Sequence, residues 1–341
     1  MRLRTRPCPN CGAPLQAEWA TRVIDCDHCH MRVTVEDDVV MAKGFRRALS
    51  ELELPVETRE LARVRLAGLP YRVLGQIAHG ESTDVFLAER AHRLTERVVL
   101  KILRAKGDAD LLDQEWETLT ALHASQARGN DHFSRRLPQL VAHGELVRVD
   151  GTRVPASALR FMSGFVHTAD DLLAAYPGGV DGEHGVWLWR RLLELLAWVH
   201  GSGFVHGAIL PRHVLIHARD HGAMLLGWSC AGPIGASLCA ISAKDAHLYP
   251  PGIAPGAIMS VAHDLTMSAR VLVKVVGGDP ATGSVPSRVP AGIAKLMGEV
   301  ARGELSAAEA MGAHELHSRV GAAAEEAYGP PKFVPLLMPE G

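Results

Sequence analysis

Four of the six cysteines in this 341-residue chain fall before residue 30, as Cys8-Pro-Asn-Cys11 and Cys26-Asp-His-Cys29, two Cys-x-x-Cys pairs separated by fourteen residues. The chemistry open to thiolates at that spacing is tetrahedral coordination of zinc. Each pair folds as a tight knuckle placing two sulfurs about 2.3 Å from one ion, and two knuckles complete the shell. Gly12, directly after the second cysteine, suits the left-handed backbone such a turn needs. A redox dithiol comes as a single Cys-x-x-Cys in a βαβ context, which is absent here. Four thiolates leave no vacant position, which argues against a catalytic zinc; His28 and His30 are rival ligands. The expectation is a structural zinc ribbon over residues 1–37 whose folding depends on its metal, because so short a segment cannot bury a core. Leu15, Ala17, Trp19, Val23 and Ile24 alternate enough for short strands, and residues 31–35 add another.

The other two cysteines, Cys230 and Cys239, lie nine positions apart and read as buried or idle thiols of a reduced compartment. Hydrophobic residues make up 47% of the chain and charged residues 22%, with a formal net charge of −2. That balance is ordinary for a soluble globular protein and argues against wholesale nucleic-acid or membrane binding. Arg2, Arg4 and Arg6 make the start locally basic, but no apolar run follows, so it is not a signal peptide. No stretch reaches the ~20 apolar residues that cross a bilayer. The expected compartment is the cytoplasm.

A second set of positions carries meaning by what is missing. Residues 205–216, VHGAILPRHVLI, resemble the protein-kinase catalytic loop V-H-R-D-L-K-P-E-N-V-L-I. In that frame Ala208 replaces the catalytic Asp, Leu210 the loop Lys, and His213 the Asn that holds magnesium. Residues 224–232, MLLGWSCAG, fall where a kinase carries D-F-G, with Gly227 in place of the metal-binding Asp. His206 matches the structural histidine of the loop. Asp264 resembles the aspartate of the following long helix that braces the loop backbone, and Pro250-Pro251-Gly252 lies where A-P-E closes the activation segment, without its Glu.

The elements that must position these residues follow the same frame. YRVLGQIAHGESTDVFLAER, from residue 71, predicts two strands with a turn where a kinase has its G-x-G-x-x-G-x-V loop. Aligned on Val85, the glycine positions are Ala78, Gly80 and Thr83, so one glycine remains and the phosphate grip is weakened. RVVLKIL at residues 97–103 matches the V-A-I-K strand, and a Lys inside a buried strand needs a partner. Residues 110–125 predict an amphipathic helix with Glu115 placed to pair with Lys101. WLWRRLLELLAWVH at residues 187–200 predicts a long apolar helix leading into the catalytic loop. Near the hinge, Phe161 and Met162 stand where they could fill an adenine site.

The resemblance covers roughly residues 71–320. It implies an α+β, two-lobed protein-kinase-like fold, a β-rich N-lobe and a helical C-lobe, preceded by the small zinc module. The expected organisation is a ribbon over 1–37, a helical linker over 38–70 (Phe45, Leu49 and Leu52 at helical spacing, then 61–69), a kinase-like domain over 71–325 and a docking tail over 326–341. That tail, YGPPKFVPLLMP after a helix stopping at Gly329-Pro330, is too apolar to hang free.

Loss of the catalytic Asp removes proton acceptance typically worth 10²–10⁴ in rate, and loss of both metal ligands removes the magnesium site. The resemblance therefore implies a pseudokinase, expected to be a scaffold or allosteric partner in a bacterial-type signalling complex. Lys101, Glu115, Gly80 and Val85 would line a nucleotide site able to take ATP without magnesium. The alternative is an atypical kinase or nucleotidyl transferase with a rearranged metal site, for which His206, His213, His217 and Asp220 are close in sequence; the bland reading leaves His206 structural and the others on a surface loop. A nucleic-acid role through the ribbon ranks last, since Arg22 and Arg32 are its few basic residues after Arg6.

Overall fold

The computed structural model describes residues 7–15, 23–34, 60–80, 82–91, 93–254, 256–304 and 312–338. The second Cys-x-x-Cys pair lies between two short antiparallel strands, β1 (Val23–Asp25) and β2 (Arg32–Thr34), with Ile24 opposite Val33. Strands expected between residues 16 and 22, and the helical spacing of Phe45, Leu49 and Leu52, lie outside the described residues.

Alternation then builds a barrel. β3 (Ala62–Leu66), β4 (Leu69–His79), β5 (Thr83–Arg90), β6 (Arg93–Leu103), β7 (Leu140–Arg148) and β8 (Arg153–Arg160) pair antiparallel in the order β3-β4-β5-β6-β8-β7, and β3 closes the ring against β7. β3 corrects the expected linker helix over residues 61–69. Ala-Arg-Val-Arg-Leu has period two: Val64 and Leu66 are buried while Arg63 and Arg65 are exposed. Ala67 and Gly68, at φ 48° and 78°, make the two-residue turn that puts Leu66 opposite Leu69, which fixes a hairpin rather than a helical turn. β3 is therefore part of the barrel, inside the stretch assigned to the linker. The barrel core is Val64, Leu66, Tyr71, Val73, Val98, Leu100, Ile102 and Leu146.

Helix α1 (Ala109–His123) buries Leu112, Glu115, Leu119 and Leu122 and connects barrel to C-lobe. The C-lobe is helical: α2 (Ala169–Ala175), α3 (Gly182–Gly201), α4 (Val261–Val275), α5 (Ala291–Ala301) and α6 (Ala313–Tyr328). α3 and α4 are the least exposed, and α4 buries Asp264, Thr266, Ser268 and Arg270 beside its apolar residues. Trp189 of α3 donates its indole N–H to Ser268 Oγ of α4 at 3.1 Å. Small strands frame the loops between them: β9 (His167–Thr168), β11 (Val214–His217) and β12 (Gly222–Leu225) form one sheet, and β10 (Phe204–Val205) pairs with β13 (Gly232–Pro233). No described helix is long and apolar enough to cross a membrane.

α6 stops at Gly329, in the left-handed region at φ 77°. Beyond it the chain lies on its own C-lobe. Leu336 is buried, and the Tyr176 hydroxyl donates to the Leu337 carbonyl. Phe333 packs on the cysteine module and stacks on His221 (4.3 Å between ring centres), which stacks in turn on Trp187 of α3 at 4.3 Å. His28, the interior residue of the second Cys-x-x-Cys pair, meets the edge of Phe333 at 5.3 Å. The tail is thus the wedge between cysteine module and C-lobe.

Candidate functional site

The four N-terminal sulfurs converge. All lie within 4.8 Å of one another, with Cys8–Cys29 at 3.5 Å and Cys11–Cys26 at 3.6 Å. A tetrahedron of sulfurs about 2.3 Å from its centre has edges near 3.8 Å, so the donor set fits a metal such as zinc. The two knuckles share one geometry. Cys8 N–H donates to Ala13 O at 2.7 Å and Gly12 N–H to Cys8 O at 2.9 Å; in the second, Cys26 N–H donates to Met31 O at 2.9 Å and His30 N–H to Cys26 O at 2.8 Å. Gly12 (φ 78°) and His30 (φ 58°) hold the equivalent left-handed position. Burial pushes Cys11 up to about 12, whereas the Asn10 side chain and the Met31 N–H, both hydrogen-bonding to its sulfur, bring Cys29 down to about 6. A divalent cation among the four sulfurs would favour their thiolate forms. His28 and His30 stay out of the cluster, and among the described residues no other group of His, Cys, Asp or Glu is gathered tightly enough to hold a metal.

Between the lobes, Lys101 on β6 and Glu115 on α1 form an ion pair, with the Lys101 side chain 17% and the Glu115 side chain 4% exposed. Glu115 also accepts the Trp228 backbone N–H at 3.2 Å. Beside it, Gln114 and Thr118 donate to Ala231 O at 2.9 and 3.3 Å. One face of α1 is therefore bound to the turn after Gly227. Val85 is opposite Lys101 in the β5–β6 register. Gly80 spends its backbone on the protein: its N–H donates to Thr83 O at 2.8 Å, and its carbonyl accepts from Arg104 at 2.7 Å. The tip is clipped further by Asp84, which meets His79 at 3.0 Å and Arg104 at 3.4 Å.

The loop over residues 205–216 keeps its backbone bracing. Asp264, fully buried on α4, accepts the N–H of His206 at 2.8 Å and of Gly207 at 2.9 Å, and pairs with His200 Nε2 at 2.9 Å. Burial alone would push this carboxyl up; the hydrogen bonds from His200 and the backbone outweigh it and hold the group below its usual range. His206 is held neutral by burial. Its Nε2–H donates to Leu226 O at 2.9 Å, and its Nδ1 accepts the Ala208 N–H at 3.3 Å.

The degenerate positions fit into one another. Ala208 and Leu210 are buried in the C-lobe core. His213 donates Nδ1–H to Ala208 O at 2.7 Å, and its ring covers Gly227. A Cβ on Gly227 would lie 2.6 Å from His213 Cε1 and Nε2. Gly227 also sits at φ 73°, where any side chain is strained. The space an aspartate side chain would need is filled by imidazole, and burial pushes His213 down to about 3, so the ring is neutral. This corrects the surface-loop reading of His213. The histidine cluster does not assemble either: His206 is buried and His213 half-buried in the loop, while His217 pairs separately with Asp220 at 3.3 Å. The sequence pattern does not reveal that His213 and Gly227 are a packed pair, because they lie in separate loops and no local spacing links them.

Buried Arg270 of α4 donates to His247 O at 2.8 Å and Tyr249 O at 2.5 Å just before Pro250, and Arg212 pairs with Asp245.

No protein-family model and no curated protein matches the chain. Its likeness is to solved structures. ROP2 from Toxoplasma gondii, described as a virulence factor with a protein-kinase fold and no enzymatic activity, aligns at TM-score 0.59 and 14% identity, over 83% of this chain and 89% of that one. The BubR1 kinase domain aligns at 0.59 and 13%, over 83% and 91%. Vaccinia related kinase 3 aligns at 0.57 and 12%, over 83% and 96%. At such identities the likeness concerns architecture alone, and on that ground the chain has the protein-kinase fold.

Proposed function

We propose that this chain is a pseudokinase: a kinase-fold protein that transfers no phosphoryl group and acts by binding, as a scaffold or allosteric signalling partner, with a structural zinc in its N-terminal module. The observation that carries the reading is the His213 ring packed where an aspartate at 227 would project, beside Ala208 in place of a proton acceptor. Magnesium requires hard oxygen ligands in octahedral geometry, and these positions offer a methyl, a glycine and a neutral imidazole. The absence of enzymatic activity described for the similarly folded ROP2 is in keeping with this. Nucleotide, if taken, is held through Lys101 without magnesium, and the phosphate grip is poor because the Gly80 amide is already bonded.

The test is thermal stability with ATP, with and without magnesium or manganese, for the wild type and Lys101→Ala. A ligand that binds only the folded state raises the melting temperature. The expected result is the same shift, or none, whether or not metal is present. A metal-dependent shift abolished by Lys101→Ala, followed by turnover, would replace this reading with an atypical transferase.

A further inference from the structure

Two thiols outside both sites lie face to face. Cys230 Sγ and Cys239 Sγ are 3.2 Å apart, and neither is disulfide-bonded. Cys230 is buried and Cys239 exposed. Backbone bonds hold the nine-residue separation in place: β13 pairs with β10, Gly235 N–H donates to Met259 O at 2.9 Å, and Leu238 N–H donates to Ala257 O at 2.8 Å. Each sulfur also faces a carbonyl of the other's neighbourhood, Cys230 towards Ala240 O at 3.8 Å and Cys239 towards Ser229 O at 3.7 Å.

We propose that Cys230 and Cys239 are an oxidisable dithiol that a hydroperoxide converts to a disulfide within the activation segment. The exposed Cys239 thiolate attacks the peroxide. An S–O bond forms, the O–O bond breaks, and the leaving alkoxide or hydroxide takes up a proton from water. Cys230 sulfur then attacks Cys239 sulfur, the S–S bond forms, and the S–O bond breaks; the departing hydroxide takes the Cys230 proton and leaves as water. Two electrons pass from the thiols to the peroxide, and a small thiol reductant reverses the step by exchange.

The division of labour follows from the surroundings. The Cys230 S–H stabilises a thiolate on Cys239 and, with backbone N–H groups of Cys239 and Ala240, brings that thiol down to about 7. The accessible sulfur is thus the nucleophile and the sheltered one resolves it. The location gives the bond consequence. Cys230 stands between Trp228, whose N–H Glu115 accepts, and Ala231, whose carbonyl receives Gln114 and Thr118. A bond to Cys239 would fasten the middle of the activation segment to the turn that anchors α1.

The experiment treats zinc-loaded full-length protein with hydrogen peroxide, blocks remaining thiols without reductant, and maps peptides by mass. The expected product is a Cys230–Cys239 cross-linked peptide, reversed by dithiothreitol and absent in Cys239→Ser, with zinc content unchanged. In reduced protein the rate of Cys239 alkylation should rise through pH 7. In Cys230→Ser it should fall roughly tenfold at pH 7, as the midpoint moves towards the ordinary value near 8.5. Because Cys239 is exposed, Cys239→Ser keeps the mapping arm interpretable should Cys230→Ser not fold. Peroxide that takes Cys239 to its sulfinic acid with no cross-link, or that oxidises the four N-terminal cysteines while this pair stays reduced, overturns the proposal.

Discussion

The cysteine module and the interlobe cleft differ in which half of a site they keep. The module has a full donor set and, among the described residues, a very small core: Cys8, Ala13, Leu15 and Cys26 are buried, and Phe333 of the tail supplies further apolar cover. The cleft has the opposite balance. Asp264 grips two backbone N–H groups and Glu115 joins Lys101 to the Trp228 turn, whereas the positions to which the sequence resemblance would assign phosphate and magnesium carry Ala208, Leu210, His213 and Gly227. On the reading proposed above, carboxylates that brace backbone are kept, while those whose only work would be on a ligand are not. A fold is held by groups that bond to the chain, and a reaction by groups that do not, so the second set can be lost without the first.

The sharpest way to break this contrast is to remove one ligand from the module. Cys26→Ser should lower bound zinc from about one per chain to less than roughly a tenth, since metal binding worth about 10–16 kcal/mol is also what folds so small a unit. Elemental analysis after desalting reads it. Because Phe333 and His28 join the module to the C-lobe, protection of tail amides 331–338 from hydrogen exchange should fall with the zinc. Full zinc retention in the variant would mean that the four sulfurs are packed thiols and not a metal shell.

Next in size is the surviving half of the cleft. Glu115→Ala leaves Lys101 without its partner and the Trp228 N–H without its acceptor, and breaking a largely buried pair from one side costs about 3–5 kcal/mol. A fall in melting temperature of roughly ten degrees is expected. An unchanged melting temperature would show the pair to be ornamental, and with it the comparison between bracing and reacting carboxylates.

A smaller effect tests whether the lost half is a socket or a packed core. Gly227→Asp forces a side chain into His213 from a left-handed backbone, at about 1–3 kcal/mol. Combining it with His213→Asn should recover part of that cost, a coupling of about 1 kcal/mol in a denaturant double-mutant cycle. Strict additivity would mean the two residues do not compete for one space.

Much of this was legible in the chain. The two Cys-x-x-Cys pairs state their ligand count outright, and punctuation such as His206, Asp264 and the Lys101 strand locates the lobes because each group has one structural task. The failures have physical causes. In residues 61–69, Leu66 and Leu69 stand three apart, a spacing that suits a helix, whereas the alternation over Ala62–Leu66 and the Ala67-Gly68 turn decide for a hairpin. The apposition of His213 with Gly227, and of Cys230 with Cys239, is set by loop backbone held by distant carbonyls and amides, which no local pattern records.

The finest test of the comparison is a proton count. In the unfolded chain His213 takes up a proton near its ordinary value of about 6.5. In the folded protein, burial against Gly227 and Ala208 delays that until about 3. Between those limits the unfolded state holds one more proton, so stability rises with pH there; the group costs nothing above about 6.5 and costs up to about 1.4 kcal/mol per unit as pH falls towards 3. Urea unfolding at pH 7 and pH 5 should therefore show the wild type losing about 2 kcal/mol more than His213→Asn. Asp264 is silent in this window, because its carboxyl lies below its usual range when folded and at its ordinary acidic value when unfolded. The other buried histidines and the cysteine module act alike in both proteins and cancel in the difference. Equal losses would place water or a proton acceptor beside His213, and the cleft would then be a polar cavity open to a ligand instead of a site closed by its own residues.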